Sequence, residues 1–140
     1  MHNITLIKKK ISKFNKKIDV SGDKSLSIRW VLFSSLANGV STAKNILISE
    51  DVLAALKAIQ KLGIKVHLKN NECKIFGRGI NGYKYKKNIT INAQNSGTLA
   101  RLILGLLINC KYPIKVVGDK SLSKRAFKRI ADPLKEFGAS

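Results

Sequence analysis

Two stretches of the chain are apolar on every side at helical spacing. Leu26, Ile28, Trp30, Val31, Leu32, Phe33 and Leu36 fall in the first, from Ser25 to Leu36. Leu99, Leu102, Ile103, Leu104, Leu106, Leu107 and Ile108 fall in the second, from Leu99 to Cys110, where Arg101 is the single charge. A helix that is apolar all round belongs in an interior, so both are expected there. A third helix, opened by Ser49-Glu50-Asp51, reads differently. It places Val52, Leu53, Ala55, Leu56, Ile59 and Leu62 on one stripe and Lys57, Gln60 and Lys61 on the other, the pattern of a surface cover. An amphipathic helix from about Arg125 to Phe137, closing on Gly138, is of the same kind. Asn38-Gly39 is expected to end the first helix, with Gly39 as the residue just past its cap.

Short extended runs separate these helices. Strands are expected at Ile4–Ile7, 18–21, Ile64–Leu68, Cys73–Phe76, Asn88–Asn92 and Ile114–Val117, with Ser41–Ile48 mostly extended. Lys69-Asn70-Asn71-Glu72 reads as a hairpin loop and Gly77–Asn88 as open loop. The order strand, polar turn, apolar helix, strand, surface helix then occurs twice, and Leu62-Gly63 and Phe137-Gly138 hold equivalent places. We therefore expect an α/β (α+β) chain of repeated βαβαββ units. The first spans 18–87 and the second 88–140. The second stops two residues beyond its glycine and is expected to lack its last hairpin, which a fragment, a shortened product or a partner supplying the edge would explain.

Charge alters this picture less than its size implies. The chain carries 27 Lys and Arg against 8 Asp and Glu, formally +19, a balance that points first to nucleic acid or an anionic membrane. Yet 22 of the bases are Lys and 5 are Arg, and few aromatics interleave with them, unlike a groove or single-strand reader. The densest run, Lys8, Lys9, Lys10, Lys13, Lys16 and Lys17, reads as a solvated face with non-specific affinity for polyanions. Cys73 and Cys110 lie far apart and His2 and His67 stand alone, so neither a metal site nor a disulfide framework is expected. No signal-peptide-like run and no segment of about 18 apolar residues is present, and a reducing, cytoplasmic setting is expected.

Candidate chemistry gathers at the polar turns. Gly22-Asp23-Lys24-Ser25-Leu26-Ser27-Ile28-Arg29 leads from an extended run into the first helix. Such a turn presents backbone N–H groups to an anion, with Lys24 and Arg29 as flanking cations. It is equally a capped helix start, with Asp23 or Ser25 as the cap.

Four motifs in order carry a resemblance: the G-D-K-S-x-S-x-R turn at 22–29, Ser49-Glu50-Asp51-Val52, Asn95-Ser96-Gly97-Thr98 with Arg101, and Gly118-Asp119-x-Ser121-Leu122-x-x-Arg125. Over nearly its whole length the chain resembles the first third of the 5-enolpyruvylshikimate-3-phosphate synthases (3-phosphoshikimate 1-carboxyvinyltransferases). The resemblance implies two domains of three βαβαββ units each, helices inside and sheets outside. Residues 1–17 would then be a strand and linker of the other domain. It also implies transfer of the enolpyruvyl group of phosphoenolpyruvate to shikimate 3-phosphate, with no cofactor or metal.

By the same resemblance Lys24 would bridge both ligands and be the one catalytic group in this chain. Ser25 and Arg29 would hold shikimate 3-phosphate, while Asn95, Gly97, Thr98 and Arg125 would hold phosphoenolpyruvate. Asp51 and Arg101 would be supporting residues, as a charge pair or cap. The family commonly has Ala where this chain has Ser96, a change expected to be tolerated. It has Pro-Met or similar where this chain has Ala126-Phe127, which leaves Arg125 less rigidly placed. Its acid/base carboxylates have no counterpart here, so the chain alone, without a complementing C-terminal chain, is expected not to turn over. Enolpyruvyl transferases acting on UDP-N-acetylglucosamine typically read G-A-K-N at the first turn, which Asp23 and Ser25 do not match. A small basic nucleic-acid-binding α/β protein is the alternative of another class.

Overall fold

The computed structural model describes Lys8, Lys10 and residues 13–139. In chain order the elements are α1 (Lys24–Leu36), β1 (Asn38–Ala43), α2 (Glu50–Lys61), β2 (Lys65–Lys69), β3 (Glu72–Arg78), β4 (Thr90–Asn92), α3 (Gly97–Leu107), β5 (Lys115–Val117), α4 (Lys120–Ser123) and α5 (Lys128–Glu136). β1, β3 and β2 form an antiparallel sheet in that order, with Val40 opposite Phe76 and Val66 opposite Ile75. Asn70 and Asn71 both have positive φ, 48° and 60°. Two such residues are what a two-residue turn needs to follow the twist of its strands. β4 and β5 pair in parallel, and α3 is the crossover between them.

The core lies where α1, α2 and α3 meet β3. Ile28, Val31 and Leu32 of α1, Val52, Ala55 and Ile59 of α2, Leu99 and Ile103 of α3, and Cys73 and Ile75 of β3 are buried together. Burying each of the large side chains contributes about 1.5–3 kcal/mol. Gly63 and Gly138 close α2 and α5 in the same way. The N–H of each glycine bonds three residues back, to Gln60 and Lys135, and the next N–H reaches five back, to Ile59 and Leu134.

Several expectations change. The apolar helices are buried on one side only: Leu26 and Phe33 of α1 are 65% and 64% exposed, and Leu102 of α3 is also exposed. The described residues cover one face of each helix. Residues 18–21 are irregular: among the described residues their backbone meets no neighbouring strand, and Val20 O accepts a bond from the Asn45 side chain. Gly39 lies inside β1 with φ 98°, paired with Gly77, and α1 is capped by Ala37. That pairing also carries β3 through Gly77 to Arg78, shortening the expected loop. α3 begins at Gly97 and ends at Leu107, and α5 begins at Lys128, so Arg125 sits in a turn between two helices. The expected strand at Ile4–Ile7 lies outside the described residues.

Candidate functional site

The start of α1 is built by its cap. Asp23 Oδ1 accepts from the Leu26 N–H at 2.6 Å, and Ser27 Oγ donates to Asp23 O at 2.6 Å. Asp23, not Ser25, is therefore the cap. Gly22 is required by close approach: a Cβ there would run into Asn45 O and come within 2.9 Å of Leu47 N. This seats the helix end against the 45–47 segment, where Leu47 N also donates to Ser27 Oγ. Lys24, the first helical residue, then reaches α2 and pairs with Asp51 at 3.2 Å. The charge partner of Asp51 is thus Lys24 and not Arg101, because α2 opens against the start of α1. With the lysine side chain 53% exposed, the pair contributes little stability, and its value is in placing Nζ.

The start of α3 is built by the parallel sheet. Beyond β4 and β5 the ladder continues, with Ala93 N donating to Val117 O and Asp119 N to Gln94 O, both at 2.8 Å. Asn95 and Asp119 therefore arrive side by side. Asp119 uses both oxygens: Oδ1 accepts from Leu122 N, capping α4, and Oδ2 accepts from Asn95 Nδ2, each at 2.7 Å. Asn95 Oδ1 in turn accepts from Arg125 Nη2 at 2.8 Å. A relay of three side chains thus fixes a guanidinium that lies in a turn and is otherwise exposed. Ser96 is buried and caps α3, its Oγ accepting from Leu99 N at 3.3 Å.

Gly97 is the meeting point. A Cβ built on it would lie 2.8 Å from Arg125 Nη1 and 3.3 Å from Arg101 Nη1. Helical side chains lean toward the N-terminus, which carries Arg101 back over the first turn of α3. Its Nε is buried with no hydrogen-bond partner among the described residues. Lys24, Asp51, Asn95, Gly97, Thr98, Arg101 and Arg125 together line one cleft of about 350 Å³. Its three cations and one carboxylate sum to +2, and the N-terminal ends of α1 and α3 add partial positive charge. Ser25 and Arg29 are not in this lining; they lie one turn apart on α1, half-buried and exposed.

Asp119 and Phe127 escaped sequence reasoning. Asp119 stood inside a quoted motif, and an Asp three residues before the capped N–H was the available signal. Phe127, whose ring centroid lies 5.7 Å from the Arg101 guanidinium carbon, gave none. Away from the cleft, burial pushes the Cys73 thiol up to about 11 and raises Tyr83 and Tyr85 above the usual tyrosine range.

A sequence profile described as EPSP synthase (3-phosphoshikimate 1-carboxyvinyltransferase) matches residues 8–140. The chain belongs to the EPSP synthase family. It is similar to the 3-phosphoshikimate 1-carboxyvinyltransferases of Bacillus cytotoxicus, 39% identical over 125 residues, and Ruthia magnifica, 43% over 122. These alignments cover 89% and 87% of this chain but 29% and 28% of the relatives. Among solved structures, an EPSP synthase from Acinetobacter baumannii superposes with a TM-score of 0.83 at 40% identity. That match covers 89% of this chain and 28% of the other. The mixed α/β fold is thus that of an EPSP synthase over somewhat less than a third of its length.

Proposed function

We propose that this chain forms one wall of the site at which an enolpyruvyl group passes from phosphoenolpyruvate to shikimate 3-phosphate, with release of phosphate. The observation that carries this is the convergence of Lys24, Arg101 and Arg125 on the start of α3, with a net charge of +2 in the cleft. Both substrates are small and rich in phosphate and carboxylate, the groups that guanidinium forks and helix N-termini hold best. Arg125, held by Asn95, and the backbone at Gly97 and Thr98 bind phosphoenolpyruvate in this reading. Lys24 bridges the two ligands, with Ser25 and Arg29 further along α1 on the shikimate 3-phosphate side.

The one carboxylate lining the cleft, Asp51, is engaged by Lys24. The described residues therefore offer no free carboxylate for proton transfer there. We likewise propose the division into units at 18–87 and 88–140, an opposite wall supplied by the rest of a longer chain or by a complementing chain, and a cytoplasmic setting.

Thermal unfolding with shikimate 3-phosphate tests the reading. Millimolar ligand is expected to raise Tm, and Lys24→Met to abolish the shift. An unchanged Tm, or a shift that survives Lys24→Met, would contradict it. Binding of generic DNA or RNA with a steep salt dependence, lost on neutralising the lysines of 8–17, would favour the nucleic-acid alternative.

A further inference from the structure

Arg101 occupies a position that electrostatics alone disfavours. Its guanidinium lies at the positive end of α3, beside a second guanidinium over the same glycine, with Nε buried and, among the described residues, unpartnered. Asp51, the one carboxylate of the cleft, is taken by Lys24. Something else holds the side chain there, and the structure offers one candidate. The Phe127 ring lies under the guanidinium, 5.7 Å from centroid to Cζ. The same ring is half-buried and packs against the core.

We propose that Phe127 is a positioning residue that fixes the Arg101 guanidinium over Gly97, so that Arg101 and Arg125 meet one anionic group of the ligand together. The face of an aromatic ring attracts a cation, and stacking leaves the edge N–H groups of the guanidinium free to bind. An arginine already ordered by its neighbours loses less side-chain freedom when a ligand arrives. Phe127 thus takes over from rigid backbone the task of organising this side of the cleft. It acts through Arg101 and touches no substrate.

The proposal rests on the cleft being an anion site, so its test separates the two claims. The 140-residue chain is compared with Phe127→Leu, Phe127→Tyr and, as a stability control in the core, Ile103→Val. The Arg101 Nε–Hε resonance is followed by NMR, and phosphoenolpyruvate binding by calorimetry. In the parent chain the ring is expected to shift the Arg101 Nε–Hε signal upfield. Phe127→Tyr keeps that shift and the affinity. Phe127→Leu loses the shift and weakens phosphoenolpyruvate binding about threefold to fivefold. Ile103→Val lowers Tm with affinity unchanged. An Arg101 signal that Phe127→Leu does not move overturns the proposal whether or not the ligand binds. So does equal weakening by Phe127→Leu and Ile103→Val. A parent chain that shows the ring shift but binds no phosphoenolpyruvate removes the anion site, and with it the purpose assigned to Phe127.

Discussion

Asp119→Asn offers a direct probe of the relay that holds Arg125. In the native chain Asp119 accepts two bonds, from Leu122 N and Asn95 Nδ2, each at 2.7 Å, and Asn95 Oδ1 accepts from Arg125 Nη2 at 2.8 Å. An amide at position 119 can still cap α4 with its oxygen, since Asn and Asp cap about equally well. Its NH₂ group then faces the Asn95 NH₂, donor against donor. Asn95 must either flip, and present its NH₂ to Arg125, or release the contact. One charge-assisted bond is lost, which its exposed setting reduces to about 1 kcal/mol, or about 3–5 °C in Tm for a chain of this size. The informative partner is Asn95→Asp in the same chain. There the new amide at position 119 donates to the new carboxylate at position 95, which accepts from Arg125, so the polarity of the relay is restored. Thermal unfolding of the parent, both single variants and the double variant should show a favourable coupling of about 1 kcal/mol between the two positions. Additive losses, or a single variant as stable as the parent, would refute the relay.

Two further predictions concern stability. Ser96→Ala, although it restores the residue common in the family, removes the cap of α3 and should cost about 1 kcal/mol in urea unfolding; an unchanged midpoint would show that the cap is idle. Stability should also fall as pH rises from about 9 to about 11. The unfolded Cys73 thiol ionises near its ordinary value of 9.0, whereas the buried thiol holds its proton to about 11. Below the lower value the preference costs nothing, and above the upper one about 2–3 kcal/mol has been lost. Tyr83 and Tyr85, raised by burial, add to the same alkaline loss. Cys73→Ala should flatten the first part of this fall, and a profile identical to the parent's would contradict the assignment.

What the sequence made legible follows local signals. Ser49 before Glu50-Asp51 announces a helix start, Asn70-Asn71 announces a hairpin, and Gly63 and Gly138 announce helix ends; each acts within a few residues, and each appears in the structure. Strand 18–21 failed because extended, β-branched composition does not supply a pairing partner. The exposure of Leu26 and Phe33 could not be read either, because periodicity reports that a helix is apolar, not which of its faces the chain covers. At the site, Lys24, Asn95, Gly97, Thr98 and Arg125 were reachable through motifs. The hydrogen-bonded order among them was not, since the Asp119–Asn95–Arg125 relay depends on sheet register carried past β4 and β5. Phe127 is harder still: its role is a contact between a ring and a cation 26 positions apart in sequence.

The most direct test of the cleft as an anion site is a titration of the isotopically labelled chain with phosphoenolpyruvate, followed residue by residue by NMR. Saturable shifts are expected at Lys24, Asn95, Gly97, Thr98, Arg101 and Arg125, the residues that converge at the starts of α1 and α3. Shifts confined to the lysines of residues 8–17, or no saturable response at millimolar ligand, would contradict it.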